Sequence, residues 1–271
     1  MKPLRFDNQR AMRERGLSII ELMVGIAVGL IVVTGIAKLF ADYVSGTKRQ
    51  MLEIRVNQEL RAAADLVARD VRRAGYWNNA VAGVWGTSSL SVATNPYMSS
   101  SAASASARTP VLLDAAGAPT PAASAASSVA FAGIAFAYEK DTNDVLDTNE
   151  YNTYRLQSVG GVDTIQARDG LLPNGQVNWQ AITDPGTIRI TTFTVSSLAP
   201  SAIDLSSYCA CLKTLKCPGF SSATAGAPKL QIFTFKINIA GEAVAAPEIS
   251  RSVQETVRVR NTQLQGTCPA A

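Results

Sequence analysis

The sequence contains no histidine. This absence excludes the Ser-His-Asp and Cys-His arrangements of nucleophilic hydrolases and every metal site that depends on imidazole ligands. A glycine-rich phosphate loop of the Walker or dinucleotide-binding form is also missing. These absences weigh against a membrane-anchored enzyme.

Cysteine is scarce and confined to the last quarter of the chain. In an exported domain an even number of cysteines indicates disulfides, here with three possible pairings. The alternatives are free thiols or a zinc site, although the Cys-x-Cys-x5-Cys spacing lacks the paired Cys-x2-Cys units typical of structural zinc. The disulfide candidates are Cys209, Cys211, Cys217 and Cys268.

An excess of charge of one sign is missing outside the N-terminus. Residues 1–16 hold five of the 25 basic and two of the 21 acidic residues, which leaves 20 basic and 19 acidic residues for the rest. A near-neutral body argues against nucleic-acid binding, which needs a basic face. A basic segment before an apolar run is typical of the cytoplasmic side of a membrane helix.

One long apolar run stands out, from Leu17 to Phe40, and its single acidic residue is Glu21. About 20 apolar residues suffice for a helix to span a bilayer. A carboxylate at membrane depth costs roughly 2–4 kcal/mol, so Glu21 requires a specific partner. No small-x-small cleavage site follows the run, as it would in an ordinary secretory signal.

The helical signal continues past the apolar run, because residues 42–73 contain no proline and a single glycine. Gly75 is a plausible terminator. We predict one helix with a transmembrane half at 17–40 and an amphipathic half at 41–75. Apolar residues at helical spacing predict the buried face of the second half: Met51, Ile54, Leu60, Ala64, Val67 and Val71.

Residues 76–271 are predicted to form a β-rich head, with an Ala/Ser-rich loop at about 99–128 and a cysteine-bearing loop at about 206–220. Alternating apolar and polar residues predict an antiparallel sheet with one face on the amphipathic helix, so the fold class is α+β. The predicted strand segments are 129–139, 152–159, 163–168, 187–198, 229–240 and 250–261.

Oxygen-bearing side chains crowd the segment DTNDVLDTNEY. A solvated hairpin turn is the simpler interpretation, and a structural Ca²⁺ site is the alternative, although the glycine and glutamate expected of an EF-hand loop are missing. Catalysis by paired carboxylates is disfavoured because a polar loop lacks the apolar pocket that raises one pKa. The candidate ligands are Asp141, Asn143, Asp144, Asp147, Asn149 and Glu150.

The segment RGLSIIELM at 15–23 resembles the type IV prepilin (class III signal) motif. That motif has Gly before the cut, an apolar first mature residue and Glu as the fifth mature residue, which Gly16, Leu17 and Glu21 match. The resemblance implies that a prepilin peptidase removes leader 1–16 and that Leu17 is N-methylated. The new α-ammonium would then be the partner of Glu21, within one chain or between neighbours.

Two glycines follow at small-xxx-small spacing, Gly25 and Gly29, and such residues let helices approach closely. We expect them to seat the helix in a filament core. Lys38 is expected to reach the periplasmic interface.

The length of the chain, DLVARDVRRAGYWNN at 65–79 and RSVQETVRVRN at 251–261 resemble minor pilins of the PilW type, which are related to the J pseudopilin of type II secretion. The resemblance implies a pilin-like fold and a non-enzymatic subunit that helps to initiate type IV pilus assembly at the tip. It also implies an inner-membrane location with the head in the periplasm, followed by the pilus or cell surface.

The partners implied are prepilin peptidase, other minor pilins, the major pilin and a large tip adhesin. No cofactor is expected apart from the possible calcium, and no nucleic acid. A minor pseudopilin of type II secretion and a filament-displayed adhesin subunit are the alternative functions.

Overall fold

The computed structural model describes residues 16, 18–80, 95–98, 110–122, 129–199, 201–208 and 227–265. The chain divides into two compact units, residues 1–51 and 52–271. Helix α1, Ile19–Arg73, is 55 residues long and begins in the first unit and ends in the second. Antiparallel strands make up most of the second unit, so the predicted pilin-like α+β fold is confirmed.

The described strands form three antiparallel sheets. A six-stranded sheet has the order β2-β1-β3-β4-β5-β6, and two three-stranded sheets have the orders β11-β10-β7 and β12-β9-β8. The strands are β1 Val111–Leu113, β2 Pro119–Pro121, β3 Gly133–Ala137, β4 Tyr151–Val159, β5 Val162–Leu171, β6 Val177–Ala181, β7 Ile188–Ser197, β8 Ser201–Asp204, β9 Lys229–Ile232, β10 Thr234–Ala243, β11 Ala246–Arg258 and β12 Gln263–Gln265.

Every predicted strand segment contains an observed strand, but five short strands were not predicted. These are β1, β2, β6, β8 and β12, each of three to five residues, too few for alternation to stand out. Strands β1 and β2 lie inside the segment expected to be an Ala/Ser-rich loop, at about 99–128. Both ends of β2 are proline, which occurs in sheets mainly on edge strands, and β2 is indeed an edge strand.

The core of the second unit lies between the amphipathic half of α1 and the inner faces of the sheets. Met51 and Ile54, predicted on the buried face, are 65% and 57% exposed, so the prediction was wrong for both. Spacing alone could not fix where the buried face begins, because that depends on which residues the strands cover. The fully buried helix residues are Val56, Leu60, Ala63, Ala64, Val67, Ala68 and Val71.

Two ion pairs join the helix to β11. Arg72 Nη2 lies 2.8 Å from Glu255 Oε1, and Arg251 Nη2 lies 2.9 Å from Glu53 Oε2. Partly exposed pairs of this kind contribute little to stability, typically about 0–1 kcal/mol. Their main effect is on geometry, because they connect the edge strand β11 to the helix at two points.

Gly75 ends the helix, as predicted from the sequence. Its φ of 71° lies in the left-handed region that favours glycine. Its N–H donates to the Ala137 carbonyl at 2.8 Å, and Asn261 Nδ2 donates to the Ala74 carbonyl at 3.0 Å. A Cβ at Gly75 would lie 2.4 Å from Met98 Sδ, so the position tolerates no side chain without movement.

We expect Gly75→Ala to lower the free energy of unfolding by slightly more than the roughly 1–2 kcal/mol of left-handed strain, because the flexible Met98 side chain must also move. Gly117 is a matched control, since its φ is 82° but a Cβ there would meet nothing within 4 Å. Gly117→Ala should cost only the strain, about 1–2 kcal/mol. Denaturant unfolding in detergent solution measures both, and equal losses would contradict the packing argument.

Candidate functional site

The candidate processing site lies just ahead of α1. Gly16 and Ser18 are exposed and non-helical, while Leu17 lies outside the described residues. Leu22 N–H donates to the Ser18 carbonyl at 3.1 Å, next to the helix start at Ile19. A cut between positions 16 and 17 would therefore fall ahead of this helical hydrogen bond.

Glu21 lies in the first turn of α1, where the helix dipole favours a negative charge. Its side chain is exposed, and within the described residues its carboxylate has no hydrogen bond or ion pair. The carboxylate is therefore open to a cation on its own chain or on a neighbour.

The apolar half of α1 carries a continuous exposed hydrophobic surface. Residues 18–43 are all exposed. An 18-residue window has a mean hydropathy of 2.5, and none of it is buried. Length and composition allow this segment to cross a membrane. Soluble monomers rarely leave so large an apolar surface uncovered, so lipid or another apolar helix must cover it.

The helix contains four glycines for which the described residues show no packing reason. A Cβ built at Gly25, Gly29, Gly35 or Gly46 would meet nothing within 4 Å. Each helical glycine costs roughly 0.5–1 kcal/mol relative to alanine. Close approach of a partner helix would explain the predicted packing residues Gly25 and Gly29, and that role stays a prediction.

The predicted calcium ligands lie in one loop between β3 and β4. Glu150 is fully buried, and its Oε1 accepts the Lys140 N–H at 2.7 Å. Its Oε2 accepts the Asp147 N–H at 2.8 Å and the Tyr97 hydroxyl at 3.1 Å. Protein donors therefore satisfy this carboxylate on both oxygens.

The other oxygen ligands of the loop are exposed or half-buried and bond to one another. Asn143 Nδ2 donates to Asp141 Oδ2 at 3.0 Å and to Asp147 Oδ2 at 2.9 Å. Asp144 Oδ1 accepts the Trp77 Nε1–H at 2.8 Å, and Asn149 is exposed. Among the described residues, no three His, Cys, Asp or Glu side chains are grouped to hold a metal ion. Calcium binding by this loop stays a prediction.

Sequence reasoning missed Glu139 and Tyr97, which anchor the loop. Glu139 is 2% exposed, and its carboxylate accepts the N–H groups of Asn78 at 2.5 Å and Asp144 at 2.8 Å. The one available signal was a carboxylate at the end of an alternating apolar strand. Trp77 packs against Tyr97 in a small buried cluster, so this aromatic residue is structural.

The four cysteines lie outside the described residues, so their predicted disulfides stay predictions. The same holds for Leu17 and for leader residues 1–15.

Comparison with protein-family models identifies a family for most of the chain. The model described as "PpdB: Prepilin peptidase-dependent protein B" matches residues 49–259. The matched range covers most of the second unit and begins well after the motif at 15–23. No curated protein and no solved structure matches the chain.

Because the buried Tyr97 phenol anchors the loop between β3 and β4, we expect the protein to lose stability at alkaline pH. Burial raises the pKa of the Tyr97 phenol above its usual 10, and the hydrogen bond to Glu150 raises it further. The stability gained from the neutral phenol is complete below pH 10 and is lost as the pH rises above 10. The melting temperature of Tyr97→Phe should therefore fall less than that of the wild type between pH 9 and 11.5.

Tyr43→Phe is the matched control, since Tyr43 is an exposed tyrosine on the helix. Its melting temperature should follow the wild-type pH profile. Parallel profiles for Tyr97→Phe and the wild type would show that the phenol does not anchor the loop.

Proposed function

Because the chain belongs to the prepilin peptidase-dependent protein B family, we propose that it is a minor pilin of the PilW type that helps to initiate and prime type IV pilus assembly at the tip. The chain is a prepilin peptidase-dependent, pilin-like protein with an N-terminal apolar helix. One observation carries the proposal: a fully exposed apolar half-helix whose only carboxylate, Glu21, has no partner within the described residues.

The motif and the family match support the proposal independently. The match begins at residue 49, whereas Gly16, Leu17 and Glu21 precede it. Two separate parts of the chain therefore point to the same class of protein. Processing by prepilin peptidase follows from the family, and the proposed cut lies between Gly16 and Leu17.

Before assembly, residues 17–40 hold the protein in the inner membrane. The basic leader lies on the cytoplasmic side, as the charge rule for membrane helices requires. The β-rich head lies in the periplasm. Lys38 stands two residues before the end of the apolar run, where its long side chain reaches the headgroup region.

After cleavage, the α-ammonium of Leu17 and the carboxylate of Glu21 drive docking into the filament. Two opposite charges 4 Å apart attract by about 4 kcal/mol at an effective dielectric constant of 20. Leaving either charge unpaired in an apolar bundle is costly, so subunits settle in the axial register that pairs them. Gly25 and Gly29 let the neighbouring helix come close at that register.

The large head would distinguish this tip subunit from the subunits that repeat along the filament shaft. It presents three sheets and a long acidic loop, an arrangement suited to contacts with other minor pilins, the major pilin or a tip adhesin. A minor pseudopilin of type II secretion would use the same helix with a different partner set. The phenotype of a deletion strain separates these two roles.

Glu21→Gln keeps the size of the side chain but removes the charge that meets the α-ammonium. In a deletion strain complemented with this variant, we expect pili per cell to fall at least about tenfold while the processed protein accumulates normally. Electron microscopy counts the pili, and immunoblotting of membranes follows processing and protein level.

Asp42→Asn is the matched control, because Asp42 is an exposed carboxylate just beyond the apolar run. It should leave piliation unchanged. Wild-type piliation with Glu21→Gln would contradict the ion-pair role. A deletion strain with normal pili but with secreted proteins trapped in the periplasm would assign the protein to type II secretion instead.

A further inference from the structure

Two arginines on the six-stranded sheet have no ion pair among the described residues. Arg155 lies on β4 and Arg168 on β5, and each has a buried Nε without a hydrogen-bond partner. Within the described part of the chain, these are the two buried side-chain nitrogen or oxygen atoms in that state. Buried polar groups are nearly always hydrogen-bonded, so two exceptions on neighbouring strands need an explanation.

Strand register places both arginines on one face of the sheet. Arg155 stands opposite Gln166, and Arg168 stands opposite Trp179 on β6. Since Gln166 and Arg168 are two residues apart on β5, their side chains point to the same side. Diagonal neighbours of this kind have Cα atoms roughly 7–8 Å apart. The arginines therefore form one surface feature.

Aromatic rings support both guanidinium groups. The Arg155 guanidinium carbon lies 3.6 Å from the centroid of the Trp179 ring, and that of Arg168 lies 5.2 Å from the centroid of the Tyr151 ring. We call this surface the arginine–aromatic face, and its members are Tyr151, Arg155, Gln166, Arg168 and Trp179. Stacking holds each planar cation in one orientation, which lowers the entropy lost when a ligand binds.

The hydrogen bonds that Arg155 and Arg168 make in the described residues go to uncharged acceptors. Arg155 Nη2 donates to Gln166 Oε1 at 3.2 Å, and Arg168 Nη2 reaches the Thr148 carbonyl at 3.5 Å. Burial lowers the pKa of both guanidinium groups, and no carboxylate offsets that shift. Each cation is therefore partly desolvated, and only for Arg168 does a neighbour, the Tyr151 phenol, partly offset the effect of burial on the pKa.

Some arginines of the second unit are paired with carboxylates, and others, such as Arg61, Arg69 and Arg258, have no ion pair among the described residues. Arg72 pairs with Glu255, Arg189 with Glu242 and Arg251 with Glu53, at 2.8, 3.3 and 2.9 Å. What sets Arg155 and Arg168 apart is that each has a buried Nε without a hydrogen-bond partner. No carboxylate among the described residues forms an ion pair with either, so the face is open to a counter-charge from a partner.

We propose that the arginine–aromatic face binds a carboxylate-bearing segment of a partner protein, whose carboxylates accept hydrogen bonds from Arg155 and Arg168. Arginine recognises carboxylates through two parallel N–H bonds, and Arg, Trp and Tyr are the residues most enriched at interface hot spots. Strand β6 is at the edge of its sheet in the described residues, so a partner can approach beside Trp179.

A nucleic acid fits the face less well. Phosphate-backbone binding relies on many cations spread over one surface. Here two arginines carry the charge, and the chain beyond residue 16 has 20 basic and 19 acidic residues. The inference does not depend on the assembly role proposed above, because the face belongs to the head and can be tested on the isolated chain.

The test is fluorescence anisotropy with the full-length protein in detergent micelles. The probe is a labelled twelve-residue peptide of alternating Glu and Ala, compared with its Gln-Ala counterpart and a twelve-nucleotide oligothymidylate. We expect the Glu peptide to bind at least about tenfold more tightly than either comparator, with an affinity that falls as salt increases. Arg155→Met and Arg168→Met should each weaken it about tenfold.

Arg189→Met is the matched control, since that arginine already pairs with Glu242 and lies on another sheet. The Arg189→Met variant should bind the Glu peptide with the affinity of the wild type. Arg155→Lys keeps the charge but loses the planar fork, and should weaken binding even if Arg155→Met unfolds; circular dichroism reports the folding of each variant.

Three results would overturn the proposal. The first is no saturable binding of the Glu peptide by the wild type. The second is equal affinity for the wild type and for the folded variants at positions 155 and 168. The third is tighter binding of the oligothymidylate than of the peptide, which would identify a polyanion surface.

Discussion

The carboxylate of Glu21 lies in the first turn of a helix whose following residues, through Phe40, are exposed and largely apolar. A charge there is tolerated only when an opposite charge meets it, since an unpaired ion in an apolar environment costs several kcal/mol. Cleavage after Gly16 would create that opposite charge four residues away. In the proposed assembly, that α-ammonium would be the cation that Glu21 meets.

The first half of α1 is exposed, whereas the second half packs against the sheets of the head. Residues 19–43 of the helix are exposed, and a Cβ built at any of its four glycines would meet nothing within 4 Å. From Val56 onwards, alanines and valines are buried against the sheets, and Gly75 closes the helix against Ala137. Under the proposed assembly, the head would keep its fold while the apolar half exchanges lipid for neighbouring helices.

The sequence predicted the long helix and the long strands because their periodic patterns extend over many residues. It did not predict β1, β2, β6, β8 or β12, which are too short to show a period, and it predicted burial of Met51 and Ile54, which are exposed. The buried anchors Glu139 and Tyr97 and the arginine–aromatic face were also missed. Each joins residues far apart in the chain, and only the strand register and loop paths bring them together.

The most direct test is the N-terminal residue and intact mass of the protein, measured from cells with and without their prepilin peptidase. If the peptidase cuts between Gly16 and Leu17, the chain begins at N-methylated Leu17 when the peptidase is present and at Met1 when it is absent. A chain beginning at Met1 in both strains would contradict this cleavage. Glu21 would then have no α-ammonium to pair with.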